Sequence, residues 1–175
     1  MSQPVEDPPG RIRLLVFDVD GVLTDGGIWL DDDGRETKQF HVRDGLAIRA
    51  AARVGMRFAS ISGRASRSVM LRLGELGVKP VLQGISDKAA ALESICADAG
   101  VAPDESAFLG DDLIDISVMR RCGYPMAVAD AVEPVRAAAR YVTSANGGHG
   151  AAREAIEHLL KANGLWEKYL GLFGV

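Results

Sequence analysis

The stretch LLVFDVDGVLTDG, residues 14–26, decides the fold. An apolar run drives into Asp18, Val19 and Asp20, and Gly21 then breaks the extended pattern. A short apolar run bounded by such a breaker reads as a buried strand. Residues i and i+2 of a strand point to one face, so the two carboxylates are neighbours. Carboxylates so close repel each other unless a cation or a proton sits between them. A divalent metal meets the first condition, and Mg2+ prefers oxygen donors. A division of roles meets the second, with one group ionised as nucleophile and the other protonated as acid. A lone DxD also occurs in bland surface turns; its place between LLVF and GVLTDG sets this one apart.

Working outward, apolar β-branched runs alternate with helical patterns. The strand candidates are residues 12–17, 57–61, 80–82, 106–109, 125–128 and 141–143. Residues 44–54 place Ala47, Ala50, Ala51 and Val54 on one helical face, with Gly55 as a stop signal. Residues 86–99 place Leu92, Ile95 and Ala99 together behind Ser86 as an N-cap. Ala152, Ile156, Leu159 and Leu160 form a third stripe, closed by Gly164. This alternation predicts an α/β fold, a doubly wound, Rossmann-like parallel sheet with helices on both faces. Residues 26–42 break the rhythm and read as a β-hairpin flap around Asp-Asp-Asp-Gly.

At 175 residues the chain suits one domain. The expected division is a disordered lead over residues 1–11, a core domain over 12–163 and a tail over 164–175. The tail docks either on its own domain or on a neighbouring subunit. A net charge of −4 argues against a broad nucleic-acid surface. No apolar run approaches the roughly 18 residues of a membrane span. The N-terminus has neither the basic start nor the apolar centre of a signal peptide, so a cytoplasmic protein is expected. Cys96 and Cys122 lie outside any CxxC and read as reduced, packed thiols. His41, His149 and His158 fit no zinc spacing.

In open parallel sheets, ligands bind beyond the carboxyl ends of the strands. Four polar groups sit at such ends. The first is Asp18 with Asp20. The second is SISGR, residues 60–64, where Ser62, Gly63 and the first amides of the next helix can hold a phosphate oxygen and Arg64 adds an oxyanion partner. The bland reading of this segment is a plain N-cap and turn. The third is Lys88, in the first turn of a helix, where a cation opposes the dipole. A surface lysine is the usual explanation; the mismatch favours pairing with Asp18 and a phosphate. The fourth is FLGDDLID, residues 108–115, where Asp111, Asp112 and Asp115 crowd one helix start. Capping explains some of this acidity, and three carboxylates in five positions exceed what capping needs. Asp111 can supply a metal oxygen, and Asp112 or Asp115 can support it from behind.

In these residues the sequence resembles the haloacid dehalogenase superfamily over about Ile12 to Leu160. DVDGVLTDG looks like its first motif, Ser62 its second, Lys88 its third and GDDLID its fourth. KQFHVRDGLAI, SGR, the QG before the lysine and NGGHGAARE resemble more narrowly the 3-deoxy-D-manno-octulosonate 8-phosphate phosphatase family. The resemblance implies a Mg2+-dependent phosphatase with Asp18 as nucleophile, Asp20 as general acid/base and Lys88 as the third catalytic residue. Mg2+ would be held by Asp18, Asp111 and the main-chain carbonyl of Asp20. Ser62 and Gly63 would bind phosphate, and Arg64 would bind the sugar-acid carboxylate, with Lys38, Arg43 and Arg153 as weaker candidates. The implied substrate is the eight-carbon sugar-acid phosphate used for lipopolysaccharide, with a nine-carbon acylneuraminate 9-phosphate as the alternative. Superfamily enzymes often carry a cap domain, and neither insertion point here has room for one. The resemblance therefore implies a capless homotetramer in which a neighbour helps to close the site. His41 reads as structural, and His149 as loop packing or a substrate or intersubunit contact. A signalling receiver domain uses a similar acidic pocket, but there the acidic pair comes first and the acceptor Asp later. A catalytically inactive interaction module would not need the intact set of Asp18, Asp20, Ser62, Lys88 and Asp111.

Overall fold

The computed structural model describes residues 11–175, so all but the last residue of the expected lead lies outside the described residues. Strands β1 (Leu14–Phe17), β4 (Arg57–Ile61), β5 (Val81–Leu82), β6 (Ser106–Gly110), β7 (Tyr124–Ala127) and β8 (Tyr141–Val142) form one sheet in the order β5-β4-β1-β6-β7-β8. Every pairing in it is parallel. β1 lies at the centre, with Phe17 beside Ser60 on one flank and Leu109 on the other. Its four residues are buried, as a strand covered on both faces must be. From β1 the chain winds first through β4 to β5, then returns through β6 to β8. The crevice where the winding reverses lies at the carboxyl ends of β1 and β6, directly above Asp18 and Asp111.

The covering helices are α1 (Val42–Arg53), α2 (Arg67–Leu76), α3 (Lys88–Ala99), α4 (Ile116–Met119), α5 (Glu133–Ala138), α6 (Ala151–Ala162) and α7 (Trp166–Gly171). α1 packs on α6, and α3 packs on α4. The expected apolar faces are the buried ones: Ala47, Ala51, Leu92, Ile156 and Leu159 have essentially no solvent exposure. α1 ends at Arg53 and Gly55 follows with φ +105°, a conformation that suits glycine. α3 starts later than expected. Its N-cap is Asp87, not Ser86, because the Asp87 carboxylate accepts the Ala90 amide at 3.0 Å.

β2 (Trp29–Leu30) and β3 (Glu36–Thr37) form the hairpin as a separate antiparallel pair. Asp31 Oδ1 closes its turn by accepting the amides of Asp33 and Arg35, and Gly34 takes φ +74°. Among the described residues no cap domain is inserted after β1 or between β4 and α3. α7 docks on α6, with Tyr169 buried and stacked on Trp166, while Phe173 stays 46% exposed. Cys96 and Cys122 are free thiols, and burial pushes Cys122 up to about 12, which leaves it inert at neutral pH.

Candidate active site

Asp18 stands one residue beyond β1, its amide bound to Leu109 O at 3.0 Å and its side chain buried. Lys88 is the first residue of α3 and is 2% exposed. Its ammonium lies 2.8 Å from Asp18 Oδ1 and 2.6 Å from Asp115 Oδ1. A buried charge is tolerated only when it is paired. Those two carboxylates are why a lysine occupies a helix start that its charge opposes. Burial alone would pull the Lys88 ammonium down, but Asp18 and Asp115 outweigh it and hold the group above its usual value.

Asp115 is fully buried, and its second oxygen accepts the Asp111 amide at 3.0 Å. Gly110 makes this possible, since a Cβ there would stand 2.6 Å from Asp115 Oδ2. Asp111 leans over the first loop. Gly21, at φ +88°, is the residue it covers, and a Cβ on Gly21 would meet Asp111 Oδ2 at 2.0 Å. One oxygen each from Asp18, Asp111 and Asp115 fall within 4.8 Å of one another. Burial, and then the Asp115 charge, push the Asp18 carboxyl up to about 6 against the pull of Lys88. Burial, and then the charges of Asp18, Asp115 and Asp112, push Asp111 up to about 8. Among the described residues Asp111 Oδ1 is buried without a hydrogen-bond partner. Crowded carboxylates, two of them pushed up by burial and mutual repulsion, with an unused buried oxygen fit a hard divalent cation, which accepts oxygen donors and offsets their charge.

The remaining candidates separate. Ser62 is buried one residue beyond β4, its Oγ accepting the Arg64 amide at 3.2 Å. Gly63 is exposed beside it. The neighbouring amides are not those of a helix start, as α2 begins only at Arg67; the loop of residues 62–66 offers them instead. Asp112 is exposed and caps the turn Leu113–Asp115, so it flanks the acidic cluster without entering it. Asp20 turns its carboxylate away from the cluster, to the Lys38 ammonium and, at 3.8 Å, to Arg64 Nε. Arg64 also binds Glu36 of β3. Arg43 and Arg153 line a cavity of about 520 Å3 with His41, His149 and Glu157, apart from the acidic cluster.

Three partners were not legible in the sequence. Glu36 and Asp115 reach Arg64 and Lys88 across 28 and 27 residues, and Glu154 reaches back 9 to 13 residues to anchor the start of the loop that carries NGGHG. The glycines of that loop did carry a signal. Gly147 and Gly148 run against the loop after β1, with the Gly148 amide 2.9 Å from Val22 O. A Cβ on Gly147 would stand 1.7 Å from Gly21 O.

A buried lysine bridging acidic groups at the switch point of a parallel sheet, with a hydroxyl just beyond the flanking strand, agrees with a haloacid dehalogenase-like hydrolase, the class that the comparisons with known proteins establish. The model of that family, haloacid dehalogenase-like hydrolase, matches residues 81–154. The 3-deoxy-D-manno-octulosonate 8-phosphate phosphatase of Escherichia coli (strain K12) is 43% identical over 161 residues, 92% of this chain and 86% of that one. The phosphatase of that name from Moraxella catarrhalis, solved with magnesium ion, phosphate ion and KDO, superposes with TM-score 0.89 at 39% identity over 93% of each chain. The cobalt-bound Haemophilus influenzae protein superposes with TM-score 0.86 at 39% identity, covering 89% of this chain and 91% of that one. The chain belongs to the 3-deoxy-D-manno-octulosonate 8-phosphate phosphatase family.

Proposed function

We propose that the chain hydrolyses 3-deoxy-D-manno-octulosonate 8-phosphate to the free sugar acid and phosphate, with Mg2+ as cofactor and Asp18 as nucleophile. The observation that carries this reading is the placement of Lys88 between Asp18 and Asp115, within an acidic cluster that also holds Asp111. The relative from Moraxella catarrhalis holds magnesium, phosphate and the sugar acid together.

In the proposed reaction a carboxylate oxygen of Asp18 attacks phosphorus in line, and the bond to the sugar oxygen breaks. Asp20 gives its proton to the departing alkoxide and later takes one from the water that hydrolyses the aspartyl-phosphate. Lys88 fixes the orientation of Asp18 and places positive charge beside the transferring group. Ser62 and Gly63 receive the phosphoryl oxygens, and Arg64 receives the sugar-acid carboxylate. Asp18, Asp111 and the Asp20 main-chain carbonyl would hold Mg2+, with Asp112 and Asp115 supporting them. Bound there, Mg2+ neutralises charge on the phosphoryl oxygens.

The same reading places the catalytic unit at residues 12–163 and the tail at 164–175. It also places the protein in the cytoplasm; no helix among the described residues is long and apolar enough to cross a membrane. A homotetramer agrees with the hairpin, whose Ile28, Trp29 and Leu30 are 52%, 65% and 65% exposed.

The test is phosphate release from a panel of sugar-acid phosphates with Mg2+. The eight-carbon ester should give the highest kcat/KM, and Asp18→Asn should lose at least about 10³-fold while keeping its fold. Preference for a nine-carbon ester would reassign the substrate, and near wild-type turnover by Asp18→Asn would remove the covalent route.

A further inference from the structure

We propose that Lys38 is a positioning residue for Asp20, fixing its carboxylate and tying it to the hairpin through Glu36 and Arg64. This rests on the acid–base role given to Asp20 above.

The Lys38 side chain has no solvent exposure, unusual for the most strongly hydrated of the side-chain cations. Its ammonium contacts Asp20 Oδ1 and lies 3.1 Å from Glu36 Oε1. Glu36 Oε2 pairs with Arg64 Nη2, and Arg64 Nε returns to Asp20 Oδ2 at 3.8 Å. Two basic and two acidic side chains therefore alternate around a closed ring. Burial would raise the Glu36 carboxyl, but Lys38 and Arg64 outweigh it and hold Glu36 below its usual value.

The ring joins three segments distant in the chain. Asp20 follows β1, Glu36 lies in β3 with Lys38 just after it, and Arg64 follows β4. Among the described residues the hairpin strands pair only with each other, so the ring supplies a polar tether from the flap to the floor of the site. On sequence grounds Lys38 was a candidate for the substrate carboxylate. Its burial between two carboxylates leaves it no open face for a third anion. The two carboxylates of DVD are thus held by different lysines, Asp18 by Lys88 and Asp20 by Lys38. That separation fixes the direction of each carboxylate independently of the other.

The experiment compares kcat/KM for glycerol 1-phosphate and 4-nitrophenyl phosphate, with Mg2+ present. Neither ester carries a carboxylate. The glycerol alkoxide needs a proton to leave and 4-nitrophenolate does not, and kcat/KM reports the step that phosphorylates Asp18. Lys38→Met should lose about 10²-fold on the alkyl ester and less than about tenfold on the aryl ester. Asp20→Asn should show the same pattern more steeply, and Lys38→Arg should restore the alkyl activity to within about tenfold. Equal losses on both esters in Lys38→Met, with Asp20→Asn still selective, overturn the positioning role alone. A loss confined to the sugar-acid substrate makes Lys38 a substrate contact and also overturns it. Equal losses in Asp20→Asn remove the acid–base role itself, and this inference with it. Should Lys38→Met fail to fold, Lys38→Gln is read by the same criteria.

Discussion

Lys88 Nζ stands 2.6 Å from Asp115 Oδ1, at a helix start where the backbone dipole repels a cation. The ion pair reverses that preference, since Asp115 is fully buried and, among the described residues, pairs with no other cation. Removing the lysine strands two buried carboxylates. Lys88→Met is therefore expected to cost about 3–5 kcal/mol, a fall in melting temperature of about 6–20 °C in a protein this size. Phosphate release should fall at least about 10²-fold. Thermal melting alongside the phosphate assay checks both, and an unchanged melting temperature would mean that the pair adds nothing to stability.

Metal and pH should act on the same carboxylates. Asp18 and Asp111 rise from 3.8 to about 6 and about 8 in the folded chain. A raised folded value means that the native state binds more protons than the unfolded state between those limits. Without metal, the stability contributed by these groups is complete below pH 3.8 and is lost as pH rises through about 6 and then about 8. Mg2+ takes over the protons' role, so its stabilising effect should grow with pH. Melting curves in Mg2+ and in chelator, compared from about pH 5.5 to about pH 8.5 so as to bracket the folded values of about 6 and about 8, test this. A Mg2+ shift independent of pH would separate the metal from these carboxylates.

How far the sequence carried this picture depends on the range of each interaction. The strand of residues 14–17 and the apolar faces of α1, α3 and α6 follow from local periodicity, and they are buried as expected. Asp18, Ser62, Lys88 and Asp111 were legible because each follows or opens an element whose end faces the crevice. The ring of Asp20, Lys38, Glu36 and Arg64 was not, because it joins the flap to two loops across many residues and no local pattern announces it. The start of α3 shifted because Asp87, not Ser86, takes the cap. Asp115 read as a support and proved to be the partner of Lys88, since nothing in GDDLID tells which carboxylate turns inward.

The glycine pair of NGGHG should prove far less replaceable than the glycine of the hairpin turn. Gly148 has φ +68°, and a Cβ there would stand 2.4 Å from Asp25 N and 2.5 Å from Thr24 C, both backbone atoms that cannot step aside. Gly34 has φ +74°, and a Cβ there would meet nothing within 4 Å. Gly34→Ala should therefore cost only the left-handed backbone penalty, about 1–2 kcal/mol. Gly148→Ala adds a clash that pushes the loop off residues 21–25, and should lower both melting temperature and turnover further. Equal melting temperatures in the two variants would contradict this packing.

Glu154 anchors that loop from α6. Its Oε1 accepts the Ser144 amide at 2.7 Å and the Tyr141 hydroxyl at 3.1 Å; its Oε2 accepts the Ser144 hydroxyl at 2.9 Å and the Ala145 amide at 3.0 Å. Burial would raise this carboxyl, but the amides of Ser144 and Ala145 and the hydroxyls outweigh it and hold it below 4.5. A glutamine must present N–H where the loop also presents donors, so Glu154→Gln is expected to cost about 1–2 kcal/mol, or roughly 2–8 °C. A depressed folded value gives stability that is present above 4.5 and lost as pH falls through the folded value. The gap between wild type and variant should therefore be widest near neutrality and close in acid. Faster exchange of the Ser144 and Ala145 amides in the variant would locate the loss in the loop that backs Gly21 to Asp25, and an acid-independent gap would assign it elsewhere.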